Sequence, residues 1–193
     1  TRMGIFSRNI LEDDAGTWKQ YTNNPNDAQS LSDDNVSVIR QDKSGVMWFG
    51  TQGGGLNKYV PQTSAFRNVK YDPLRKDIPS PVVNAIAHKM SGEAWFGTQS
   101  GAVVYTDNSP SRLIASEYAV TAILHDSQGG TWLGTESGLI WIPRNGTETR
   151  FQNSPDDNNS LGDNLVTALA EDKSSGDIWI GTQGGGISRF NPR

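Results

Sequence analysis

Four tryptophan-centred cores recur along this chain of 193 residues: MWFGTQGGG at 47–55, AWFGTQSGA at 94–102, TWLGTESGL at 131–139 and IWIGTQGGG at 178–186. Their tryptophans, Trp48, Trp95, Trp132 and Trp179, stand 47, 37 and 47 residues apart. Self-similarity at a fixed period marks an array of stacked units, none of which can bury its apolar face alone. Each unit opens on a short strand pattern, VSVIRQD from Val36, VNAIAHK from Val83, VTAILHD from Val120 or VTALAED from Val166. A polar, Gly-ending turn follows (DKSG, KMSG, DSQGG, DKSSG), then the tryptophan strand, then a second turn written Thr-Gln/Glu-Gly/Ser-Gly. Such turns close hairpins, because Asp accepts backbone hydrogen bonds and Gly reaches positive φ cheaply. A third strand starts at the last glycine (GLNKYV, GAVVYT, GLIWIP, GISRF) and a weaker fourth closes the unit, as in AFRNVKY at 65–71 and TRFQN at 149–153.

Four antiparallel strands at this period predict an all-β chain, a β-propeller of four-stranded antiparallel blades starting near 36, 83, 120 and 166. About four blades are present, and 1–34 reads as a partial blade with a third strand at 4–8 and a fourth at 17–21. Two closures follow: a four-bladed ring completed by the strand at 17–21, or a piece of a larger propeller. The stray third strand favours the piece, as does the opening on Thr1. Open sheet edges then predict self-association.

The glycine triplets also raise a phosphate-binding loop. That reading fails, because such a loop leads into a helix and a Lys-Ser/Thr pair, whereas Asn57-Lys58-Tyr59 continues a strand. A net charge of −4 supplies no basic face for nucleic acid. No apolar run approaches the ~20 residues of a spanning helix, so no membrane contact is expected of this segment. No secretory leader is apparent, and zero cysteines exclude disulfides and thiolate metal sites.

The pattern Asp-x-x-Gly-x-x-Trp-x-Gly-Thr-x-x-Gly-Gly-Leu, carried by Asp42, Gly45, Trp48, Gly50, Thr51, Gly54 and Gly55 and again by Asp172, Gly176, Trp179, Gly181, Thr182, Gly185 and Gly186, resembles the two-component regulator propeller repeat. Phe66, Phe151 and Ser160-Leu161 match its connecting positions, while Lys89 departs from the turn Asp in the second copy. The resemblance implies the sensory region of bacterial receptors whose output modules are histidine kinases or diguanylate cyclases. It implies a periplasmic location, as part of an inner-membrane receptor, and in many members a response to oligosaccharides.

Propeller ligands sit on the face that carries the second turns and the inter-blade loops. That places Gln52, Gln99, Glu136 and Gln183 in one set of candidates, and Asn35, Asn84, Asn164, Asp34 and Asp163 in another. Amides and carboxylates suit sugar hydroxyls, which need donors and acceptors together. The competing reading is that each ties down its own turn. Gln41, His88, His125 and Glu171 share one repeat position, but solvated strand ends explain them better than a metal site. Asp42, Asp126 and Asp172 read as turn structure. No catalytic constellation, cofactor or metal is expected, and the reading is a non-enzymatic ligand-binding sensor. The alternatives are a protein-interaction scaffold and a propeller lyase or glycosidase with Glu136 as its acid.

Overall fold

The computed structural model describes residues 2–8, 18–60, 65–69, 71–72, 77–89, 91–106, 109–115, 117–145 and 147–192. Among them every regular element is a strand. Two compact units divide the chain, Thr1–Val83 and Asn84–Arg193.

In the first unit, β1 (Ile5–Ser7) and β2 (Lys19–Tyr21) form an antiparallel pair. They are the third and fourth strands expected at 4–8 and 17–21, although Thr17 lies outside the described residues. A four-stranded antiparallel sheet follows in simple order, β3 (Val36–Gln41), β4 (Met47–Thr51), β5 (Leu56–Val60) and β6 (Ala65–Val69). Leu31, Val36, Phe49 and Phe66 are buried together, with Ile5 and Tyr21 of the small sheet packed against them.

The other three sheets repeat the plan. One contains β7 (Val83–His88), β8 (Ala94–Thr98), β9 (Gly101–Thr106) and β10 (Ser109–Ile114). The next contains β11 (Val120–His125), β12 (Thr131–Thr135), β13 (Gly138–Ile142) and β14 (Thr149–Phe151). The last has three described strands, β15 (Val166–Glu171), β16 (Ile178–Thr182) and β17 (Ile187–Phe190). The strands read from Val36, Val83, Val120 and Val166 are β3, β7, β11 and β15. Met90 and Lys70, in an expected turn and strand, lie outside the described residues.

The tryptophan strands hold consecutive sheets together. In the second unit, Trp95, Ala102 and Val104 of one sheet are buried with Val120, Leu133 and Ile140 of the next. Trp132 and Leu139 are buried in turn with Val166, Ile178 and Ile180 of the last sheet. Trp95 and Trp132 are at most 1% exposed, whereas Trp179, on the outward face of the last sheet, is 42% exposed.

Two details set how closely the sheets approach. The Trp-x-Gly glycine leaves room for the next sheet's leading valine: a Cβ on Gly134 would lie 2.6 Å from Val166 Cγ1, and one on Gly97 2.8 Å from Val120 Cγ1. A bulge also interrupts the pairing after Val36, Val120 and Val166. The bulged residue turns its side chain toward the neighbouring sheet. Thr121 Oγ1 donates to Val166 O at 2.5 Å, Asn84 Nδ2 to Val120 O at 3.3 Å, and Ser37 Oγ to Val83 O. Thr167, on the last sheet, bonds instead to Gly181 O of its own sheet at 3.3 Å.

Candidate ligand-binding rim

The second turn of each sheet is built around a threonine latch. Thr51, Thr98, Thr135 and Thr182 each donate through Oγ1 to the carbonyl of the turn's last glycine, at 2.8, 2.8, 2.8 and 3.2 Å. In three of these turns the residue after the threonine has its backbone N–H held. Gln52 N donates to Asn35 O, Glu136 N to Ala119 O and Gln183 N to Leu165 O, at 2.9–3.2 Å. The side chains of Gln52, Gln99, Glu136 and Gln183 are all exposed. The candidate rim is therefore a set of fixed backbones carrying free polar heads.

The second candidate set behaves differently, because two links share one architecture. Asn23 N donates to Asp34 Oδ1 at 2.6 Å, as Asn153 N does to Asn164 Oδ1 at 2.7 Å. Asn23 Nδ2 reaches Leu31 O and Asn153 Nδ2 reaches Leu161 O, at 2.6 and 2.5 Å. Ser30 and Ser160 Oγ each accept from the backbone of residue 24 or 154 and donate back to its carbonyl. Leu31 and Leu161 are thereby buried under the link. Asn164 is thus the counterpart of Asp34 and not of Asn35, and both hold the link closed. Asp163 Oδ1 accepts Leu165 N at 2.7 Å, and Asn84 is engaged by Val120 O. Asn35 donates its N–H to Asp33 Oδ1 at 2.6 Å, its carbonyl accepts Gln52 N, and it is half-buried.

These links explain the glycine triplets that recur only in the first and last cores. A Cβ on Gly54 would lie 2.4 Å from Ser32 Oγ, and one on Gly185 2.1 Å from the Gly162 carbonyl carbon. The middle glycine admits the link, not a phosphate.

The strand-end set is not a solvated row. His125 is half-buried against Trp95, with ring centroids 5.3 Å apart, and its Nδ1 lies 3.0 Å from Thr131 Oγ1. Burial, with the Lys89 ammonium adding to it, lowers its pKa to about 4. Glu171 clasps the neighbouring sheet's turn, accepting from Ser127 N at 2.9 Å and from its Oγ at 2.5 Å. Sequence reasoning missed this clasp, because Ser127 and Glu171 sit in different repeats with no shared motif.

The turn aspartates are structural, as read. Asp126 Oδ1 accepts Gln128 N and Gly130 N, and its Oδ2 accepts Trp132 Nε1 at 2.8 Å. Asp42 does the same for Trp48 Nε1 at 3.1 Å. In the second core, where Lys89 stands at the Asp position, Glu93 Oε2 accepts Trp95 Nε1 at 3.1 Å and Lys89 Nζ lies 4.9 Å from the indole ring centre.

Two clefts lie away from the rim. One, of about 280 Å³, is bounded by the link at 154–161, β14 and the outer side of β17, with Phe151, Leu161 and Phe190 on its walls. In the first unit the corresponding place is filled by β6: Phe66 N donates to Gln29 O at 3.1 Å, and Asn68 Nδ2 reaches Ser30 O at 3.1 Å. The other, of about 360 Å³, lies between β1 and β3, lined by Ile5, Phe6 and 36–39.

The family model for the two component regulator propeller matches residues 30–53 and 160–184. No curated protein matches the sequence. Among solved structures, the chain is similar to the extracellular domain of BT4673 from B. thetaiotaomicron, assigned to the hybrid two component systems. The TM-score is 0.81 at 18% identity, over 97% of this chain and 25% of that one. The extracellular domain of BT3049 from the same organism, with the same assignment, gives 0.64 at 22% identity over 97% and 30%. Virginiamycin B lyase from Staphylococcus aureus gives 0.62 at 15% identity over 100% and 64%. The chain spans about a quarter of the length of the first of these structures. Its segments at 30–53 and 160–184 match the two component regulator propeller repeat, and its fold is that of a β-propeller.

Proposed function

We propose that this chain is a non-enzymatic sensory propeller from the periplasmic part of a two component receptor, and that its rim binds an oligosaccharide. The observation that carries the reading is the pairing of two regulator-propeller repeats with a fold shared over 97% of the chain with an extracellular domain of a hybrid two component system. The rim chemistry agrees with it. Gln99, Glu136 and Gln183 stand at the same turn of consecutive sheets in the second unit, exposed on latched backbones. Amide and carboxylate heads supply the mixed donors and acceptors that sugar hydroxyls require, at low ordering cost when the backbone is already fixed.

A lyase reading has one observation in its favour, the similarity to virginiamycin B lyase. Against it, Glu136 is exposed, and among the described residues no group of three or more His, Cys, Asp or Glu is placed to hold a metal ion. His125 is spent on packing.

The test is a thermal-shift screen of the chain against plant and host oligosaccharides, with reducing-end and unsaturated-product assays run alongside. Stabilisation by one glycan class without turnover is expected, weakened at least several-fold in affinity by Glu136→Ala combined with Gln183→Ala. Turnover abolished by Glu136→Gln would establish the enzyme instead.

A further inference from the structure

Resting on the oligosaccharide reading above, we propose that the sugar subsites are the two places where a link aspartate meets a glycine triplet, Asp33 with Gln52 and Asp163 with Gln183. Each seats a vicinal diol of an uncharged glycan.

The same three-part arrangement is built once in each unit. Asp33 Oδ1 accepts Asn35 N at 2.6 Å, and Asn35 O in turn accepts Gln52 N. Asp163 Oδ1 accepts Leu165 N at 2.7 Å, and Leu165 O accepts Gln183 N. One backbone residue thus fixes both the carboxylate and the glutamine's main chain. The other carboxylate oxygen is aimed at the first glycine of the triplet: a Cβ on Gly53 would lie 2.9 Å from Asp33 Oδ2, and one on Gly184 3.1 Å from Asp163 Oδ2. Among the described residues neither Oδ2 accepts a hydrogen bond. Both aspartates are half-buried, while Gln52, Gly53, Gln183 and Gly184 are exposed.

The first glycine has no other explanation in the hairpin. The last of each triplet needs its positive φ, +79° at Gly55 and +71° at Gly186, and the middle one admits the link. Gly53 and Gly184 have no positive φ, and what their missing side chains leave open is the aspartate oxygen. The other two hairpins lack the arrangement. Each is one residue shorter, with Ser100 or Ser137 after the Gln/Glu, and Ser80 and Glu117 stand where the aspartates stand three residues before the leading valine. Ser80 Oγ takes Val82 N at 3.1 Å and brings no second acceptor.

A carboxylate oxygen only accepts, whereas a primary amide both donates and accepts. Of two adjacent hydroxyls, one donates to Oδ2 in a charge-assisted bond and its neighbour exchanges bonds with the glutamine head. The bare glycine lets the edge of the sugar approach the backbone. The loops that form the two subsites, 23–35 with 51–55 and 153–165 with 182–186, carry Asp27, Asp33, Asp34, Asp156, Asp157 and Asp163 and no Lys or Arg. A uronate or sulfate therefore meets like charge.

Isothermal titration of the 193-residue chain with hexasaccharides of xylan, arabinan, galactan and mannan, and with hexagalacturonate and a heparin hexasaccharide, tests this. An uncharged member is expected to bind and the acidic two are not. Asp33→Asn with Asp163→Asn keeps the acceptor for the backbone N–H and replaces only the aimed oxygen, so binding weakens about ten-fold or more with the melting temperature near the parent's. Gly53→Ala with Gly184→Ala covers the same oxygen and weakens binding alike. Preference for an acidic hexasaccharide, or uncharged binding that either double variant leaves intact, overturns the subsites and leaves the sensory reading standing. Binding by none of these hexasaccharides overturns both. Should the asparagine pair melt well below the parent, the alanine pair decides under the same criteria.

Discussion

At the scale of single residues, the buried indoles govern the first turns. A buried N–H left without an acceptor costs about 1–3 kcal/mol, and Trp48, Trp95 and Trp132 each find a carboxylate within reach. Asp126→Ala strips the acceptor from Trp132 and two bonds from the turn. A loss of about 2 kcal/mol or more is expected by urea unfolding, while Glu93→Gln, which still accepts, changes stability far less. Titration follows from the same packing. Burial opposes the charge of Asp42, but hydrogen bonds from Ser44, Trp48 and the Val46 N–H outweigh it and hold the carboxyl below its ordinary value. Its contribution is therefore present above the usual carboxyl range and lost as pH falls through the depressed value. His125 is held neutral down to about pH 4 against an ordinary 6.5, so stability is full above about 6.5 and drains away between there and about 4. Melting temperature against pH should show that slope, and His125→Gln should remove most of it.

At the scale of elements, the strands were legible because each repeats its apolar pattern between Gly-bearing turns. The strands read from Val36, Val83, Val120 and Val166 begin at those residues. The bulges were not legible, since Ser37, Asn84, Thr121 and Thr167 look like ordinary polar strand positions until the neighbouring carbonyl is seen. Nor was the register of the fourth strands. Phe151 faces Leu139, but Phe66 faces Tyr59, three residues along from the corresponding Leu56, although both phenylalanines fit the repeat pattern. Of the candidate site, the exposed Gln/Glu heads were readable from the turn pattern, while Asn164 and Asp34 required the link architecture to show what they bind. Glycine replacements separate the two kinds of surface. Gly134→Ala presses a methyl into Val166 and should cost about 1–3 kcal/mol by chemical denaturation. The same change at Gly181 should cost well under about 1 kcal/mol, with only helix-independent strand propensity at stake.

At the scale of the whole molecule, stability is a sum of sheets and the contacts between neighbours. Within the second unit, β11–β14 is packed on both faces, whereas β15–β17 is packed on one. Amide exchange should therefore be slowest in β12 and fastest in β16 and β17, and Trp132→Ala should cost about 3–5 kcal/mol where Trp179→Ala costs a small fraction of that. Equal protection of the two sheets would contradict this additive picture.

Glu93 standing in for the missing turn aspartate carries a lesson for counting. The indole asks only for a nearby carboxylate, and a glutamate on the far side of the hairpin reaches it as well as the usual residue does. A blade can therefore shed its signature and keep its shape. The recognisable stretches, 30–53 and 160–184, are those where a long link happens to run into a glycine triplet. Tallying propeller blades by such stretches registers connecting loops, and here it finds half of the tryptophan hairpins that the chain folds.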